Sequence, residues 1–151
     1  MPQSELKGRI LDAVKQAMRG GDKPRLGTLR LLTAAIKQRE VDDRAELDDD
    51  AVIGLLSKQV KQRQESITQY EEAGRSDLAD REREEIAVIQ EFLPRQLDDA
   101  EVDALIDQAL EETGADSLRD MGKVMAVLRP RLQGRADMGA ASARVKSRLG
   151  K

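Results

Sequence analysis

Apolar residues recur every three or four positions along most of this chain, and they never alternate long enough to predict a strand. The pattern predicts seven helical segments. The first runs from Glu5 to Arg19, with Leu6, Ile10, Val14, Ala17 and Met18 on one stripe. Ser4 is placed to cap it and Gly20-Gly21 to stop it. The second runs from Lys23 to Glu40 on Leu29, Leu32, Ala35 and Ile36, flanked by Leu26. Asp22 suits its N-cap and Pro24 its first turn. The third, from Asp49 to Ala73, carries a narrow stripe of Val52, Leu56, Val60, Ile67 and Tyr70 and closes at Gly74. Arg63 interrupts that stripe. Its expected place is the rim, with its aliphatic stem over apolar neighbours and its guanidinium in solvent; a buried ion pair is the alternative. The fourth, from Asp77 to Leu93, begins polar and ends apolar, and Pro94 is expected to end it.

The remaining segments span Asp99 to Thr113, a stretch after Ser117 that Pro130 kinks or ends, and Ala140 to Leu149. Two helix starts share one grammar, "LDDDAV" at Leu47 and "LDDAEV" at Leu97. In each, Asp48 or Asp98 suits the N-cap, and the preceding Leu can pack on Val52 or Val102 as a staple. Glu101 completes a capping-box pattern with Asp98. These acids read as caps and not as a calcium loop, which needs a Gly turn and a distal Glu. The change in character at "PRQL" places a boundary between a domain at 1–94 and one at 95–151. The expected fold is all-α: an N-terminal helical bundle with one long helix, then a small C-terminal three-helix domain.

Composition narrows the chemistry. Of 151 residues, 39% are hydrophobic, yet only Tyr70 and Phe92 are aromatic, so the core must be aliphatic. Cys and His are both absent, which removes the thiolate nucleophile, Cys- or His-ligated metals and the commonest general base. No apolar run approaches the roughly 18 residues that span a bilayer. The first ten residues have no apolar leader core, and a cytoplasmic protein is expected. No cofactor and no metal site is expected.

Charge is unevenly distributed. Residues 95–120 hold two bases against nine acids, and residues 121–151 hold eight bases against one acid, Asp137. Within the basic end lies "DMGKVM", Asp120 to Met125, whose Gly-Lys pair resembles the end of a phosphate loop. A Walker loop would need Gly where Ser117 stands and Ser or Thr where Val124 stands, and it would follow a strand. The helical period gives a better account. Met121, Val124, Met125 and Leu128 share one face, while Arg119, Gly122, Lys123 and Ala126 point the other way. A mid-helix Gly costs about 1 kcal/mol relative to Ala. Gly122 and Ala126 therefore suggest a strip where another backbone comes close, either a neighbouring helix or a nucleic-acid chain whose phosphates meet Lys123 and Arg119.

The order "DMGKVM", a helical run, "GRAD" and a basic last helix resembles the tail domain of the GatB/YqeY family. "GDKPRLGTLRLL" (21–32), "VKQRQESI" (60–67), "AGRSDLA" (73–79) and "EFLPRQL" (91–97) are similar to the standalone YqeY-type members. The resemblance covers nearly the whole chain and implies two all-α domains. The second would be similar to the tail of the B subunit of the glutamine-dependent aspartyl/glutamyl-tRNA amidotransferase, a tail that contacts tRNA. There are two departures. Ala126 stands where Gly is common, and Met138 follows Asp137, which delays the expected Gly to Gly139.

Catalysis of amide transfer by this chain is not expected, because an activated nucleophile, its base and a nucleotide site are all missing from the sequence. The expected function is binding of tRNA or another folded RNA by phosphate and shape contacts. The candidate contacts are Arg119, Gly122, Lys123, Ala126, Arg129, Arg131, Arg135, Arg144, Lys146 and Arg148. With so few aromatics, base stacking is not expected. Three alternatives stay open: an adaptor whose basic end docks on an acidic protein; an accessory or carrier of glutamine-dependent carbon–nitrogen ligase activity; and a basic end that neutralises its own acidic helix. No membrane partner is expected. The pattern leaves the oligomeric state open, including a dimer through the third-helix stripe.

Overall fold

A computed structural model describes residues 4–150. Among these, every regular element is helical. The chain divides into two compact units, Met1–Leu93 and Pro94–Lys151.

The first unit holds α1 (Glu5–Gly20), α2 (Lys23–Asp43), α3 (Asp49–Glu72) and α4 (Ser76–Gln90). Local signals set their ends. The Ser4 hydroxyl accepts from the Lys7 N–H at 3.0 Å, and Asp22 accepts from Arg25 at 3.2 Å. Gly21 closes α1 at a φ of 67°, in the left-handed region where a side chain would clash. Asp48 accepts from the Ala51 N–H at 2.9 Å. The core is aliphatic, with Leu6, Ile10, Leu29, Leu32, Ile36, Val52, Leu56 and Ile89 all buried, and Phe92 joins it. Leu47 and Val52 sit in this cluster as the staple requires.

Two details depart from the expected pattern. Helix α4 stops at Gln90, before Phe92 and Leu93. The N–H groups of Glu91, Phe92 and Leu93 bond three residues back, to Val88, Ile89 and Gln90. The chain thus tightens into a turn ahead of Pro94 and carries Phe92 into the core. Met18, placed on the buried stripe by its spacing, is 55% exposed, and Ala13 takes the buried position.

Arg63 is the larger correction. It is 9% exposed and not at the rim. Its Nε donates to Glu85 Oε2 at 2.9 Å, and Glu82 lies at 3.9 Å. Its Nη1 donates to the Gln59 side chain at 2.6 Å and to the Gln59 carbonyl at 3.2 Å. The arginine ties α3 to α4. Burial, with the charge of Glu85 behind it, raises the pKa of Glu82, and Arg63 opposes that rise.

The second unit holds α5 (Asp99–Thr113), a single 3-10 turn at Leu118–Asp120, α6 (Met121–Leu132) and α7 (Met138–Leu149). Val102, Ile106, Ala109, Val124, Leu128, Leu132, Ala141 and Val145 form its core. The capping box at α5 is complete: Asp98 accepts from the Glu101 N–H at 2.8 Å and Glu101 accepts from the Asp98 N–H at 3.2 Å. Arg95 holds the Glu101 carboxylate at 2.7 Å. That ion pair, followed by the Asp98 N–H, lowers the Glu101 pKa to about 2. Pro130 does not end α6, which continues to Leu132 before Gly134 turns the chain at a φ of 74°. Asp137 caps α7 by accepting from Gly139 at 2.9 Å. Met138 therefore becomes the first helical residue, two positions earlier than the spacing predicts.

Candidate nucleic-acid interface

Helix α6 presents two faces. Val124, Met125, Leu128 and Leu132 are buried, and Gly122, Lys123, Ala126, Arg129 and Pro130 are exposed. At 3.6 residues per turn, Gly122, Ala126 and Pro130 line up. Lys123 and Arg129 then fall about 60° to either side of Ala126. A Cβ added at Gly122 meets nothing within 4 Å. Among the described residues of the second unit, the small-residue strip is therefore not the seat of a neighbouring helix; it is open surface. Arg119, on the preceding turn, is exposed too.

The candidate cations separate into two groups. Arg131 pairs with Glu112 at 2.9 Å. Arg144 reaches Asp99 at 2.9 Å and Asp103 at 3.0 Å. Arg148 reaches Asp103 at 3.4 Å and also pairs with Asp107. These arginines of α6 and α7 are clasped by the acids of α5. The hydrogen bond that Arg144 donates to Asp99 is the main reason its pKa is raised, with further contributions from Asp103. Arg135 is used by a joint within the unit. Its Nε donates to the Arg95 carbonyl at 3.2 Å, and its own carbonyl accepts from Leu97 at 2.8 Å. Gln96 donates to the neighbouring Gly134 carbonyl at 2.6 Å.

Arg119, Lys123, Arg129 and Lys146 are exposed, and none of them has an ion pair or side-chain hydrogen bond among the described residues. Lys123 does contribute to the lowered pKa of Asp120, whose largest cause is the hydrogen bond from the Asp116 N–H. The cations of the α6 face and Lys146 are thus not held by carboxylates among the described residues, whereas Arg131, Arg144 and Arg148 pair with acids of α5, as in the alternative of a basic end that neutralises its own acidic helix. The sequence reading missed the i, i+4 acid row Asp99, Asp103, Asp107. Its spacing, matched by Arg144 and Arg148, was the available signal.

Two small all-helical units, the second with an open cationic helix face, define the class as an all-helical two-unit protein. The chain belongs to the Yqey-like protein family, whose profile matches residues 7–149. It is 30% identical over 138 residues to Altered inheritance of mitochondria protein 41, mitochondrial, of Pyrenophora tritici-repentis, covering 89% of this chain and 75% of that protein. The same-named protein of Lachancea thermotolerans is 37% identical over 102 residues, 66% of this chain and 54% of the relative. That of Vanderwaltozyma polyspora is 30% identical over 116 residues, 72% of this chain and 62% of the relative. The chain thus spans between about half and three quarters of these relatives.

Their names overturn the cytoplasmic expectation. The reason it failed is physical. A missing apolar core argues only against a secretory leader, whereas mitochondrial targeting segments are amphipathic and Arg-rich and need no such core. No helix among the described residues is long and apolar enough to cross a membrane.

Proposed function

We propose that the C-terminal unit binds a folded RNA such as tRNA through the outer face of α6. Gly122, Ala126 and Pro130 provide a flat track for the sugar-phosphate chain, and Lys123 and Arg129 meet phosphates on its two sides. Arg119 extends the row. The observation that carries this reading is the pair of exposed, unpartnered cations flanking a strip with open space above Gly122. Arg131, Arg144 and Arg148 drop out of the contact set, because a phosphate would have to displace a carboxylate already in place. Contacts of this kind carry little base specificity, so recognition rests on shape.

Binding of bulk tRNA across a salt series tests the reading. Each phosphate contact contributes a slope of about 0.7–0.9 in log K against log salt. The double variant Lys123→Ala, Arg129→Ala is expected to flatten the slope by about 1.4–1.8. Arg39→Ala, in the first unit, should leave it unchanged. An unaltered slope in the double variant, or no tRNA shift at low salt, overturns the proposal.

A further inference from the structure

The first unit carries a second feature that the RNA reading does not use. A groove of about 500 Å³ lies along α1 and α2, lined by Lys7, Leu11, Arg30, Ala34, Lys37 and Glu40 among others, with Ile36 at its floor. The helical period extends this lining in both directions. Met18 follows Leu11 by seven residues and Val41 follows Ala34 by seven, which keeps each within about 20° of its partner. Leu11, Met18 and Val41 are 42%, 55% and 62% exposed. By that period the exposed apolar side chains Met18 and Val41 fall on the same helix faces as Leu11 and Ala34, beyond the two ends of the groove.

Its charge is one-sided. The lining contains three cations, Lys7, Arg30 and Lys37, and one carboxylate, Glu40. Glu40 is fully engaged: Lys7 Nζ reaches its two oxygens at 2.7 and 2.9 Å, and the Leu47 N–H donates to it at 3.0 Å. Arg30 and Lys37 are exposed and have no side-chain partner among the described residues. An occupant must supply apolar side chains at helical spacing and carboxylates along its flank.

We propose that this groove docks an acidic amphipathic helix of a partner protein. Apolar positions at i, i+3, i+4 and i+7 of that helix pack on Leu11, Ala34 and Val41, and its flanking Glu or Asp residues meet Arg30 and Lys37. The site belongs to the first unit and is independent of the RNA-binding face.

The test uses the full chain and a fluorescein-labelled synthetic helix of about 18 residues, five turns, with a Leu stripe flanked by Glu. A counterpart carries Lys in place of Glu, and phosphatidylglycerol vesicles form a third arm. Anisotropy is expected to show binding of the acidic helix and not of the basic one. Amide shifts in NMR should be confined to α1 and α2. Arg30→Glu with Lys37→Glu should weaken the acidic helix about tenfold or more and admit the basic one. Leu11→Ser should weaken binding without reversing the charge preference. All three positions are at least partly exposed, and circular dichroism checks each variant. Equal binding of both helices, no shift up to about 1 mM peptide, insensitivity to the charge reversal, or vesicle binding that needs Arg30 and Lys37 without peptide binding would each overturn the proposal.

Discussion

Replacing Arg63 by Met tests how much the α3–α4 hairpin depends on one buried charge. Met keeps most of the apolar stem, so packing against α4 survives while the guanidinium is lost. Three hydrogen bonds disappear, to Glu85, to the Gln59 amide and to the Gln59 carbonyl. Glu82 and Glu85 are left facing each other with side chains only 20% and 21% exposed. Breaking a fully buried pair costs about 3–5 kcal/mol, and residual exposure of the two carboxylates reduces this to about 2–3 kcal/mol. Urea is the denaturant to use, because guanidinium salt would screen the interaction under study. Tyr70, the chain's single tyrosine, lies on α3 and reports the first unit alone through its fluorescence. With a slope of about 1–3 kcal/mol per molar, the urea midpoint should fall by about 1 M or more. Adding Glu85→Met should recover part of the loss, and the double-mutant cycle then isolates the pair. A loss below about 0.5 kcal/mol, the scale of an exposed pair, would refute the argument that burial governs this interaction.

Two predictions follow from the carboxylates. Glu101 has a folded pKa of about 2, below its unfolded value, so its contribution is present above the normal glutamate range and fades as pH falls toward 2. A carbon-detected NMR titration should give a midpoint near 2, and a midpoint of about 4 would contradict the capping geometry. Glu82 has the opposite sign: its folded pKa is raised, so stability falls as pH rises through that value. Glu82→Gln should therefore make the first unit more stable than the parent at neutral pH, with little difference at pH about 4, by urea melts followed through Tyr70.

Much of the fold was legible because its signals are local. Asp98 and Glu101 fix the start of α5 within four residues of chain, and Gly21 ends α1 by its own conformational freedom. Pro130 misled because a proline removes only its own N–H and disturbs the turn before it, so a helix near its end can run on for two residues. Arg63 misled for a different reason. Its partners are 19 and 22 residues away on α4, and no spacing within α3 records them. The cationic face of α6 was readable from the period of one helix. The loss of Arg144 and Arg148 to α5 was legible only as the open alternative of a basic end that neutralises its own acidic helix, because which pairs form across about 40 residues depends on how three helices assemble.

The aspartate row on α5 has one more implication. Asp99, Asp103 and Asp107 are followed at the same interval by Glu111, so α7 shifted by a full turn would still find an acid beside each arginine. Electrostatics here works as a rail without an end-stop. Where α7 comes to rest is set instead by Ala141, Val145 and Leu149 seating in the apolar layer, and by the short knot of bonds joining Gln96 and Leu97 to Gly134 and Arg135. Trimming that knot should let the last helix slide before it lets it go.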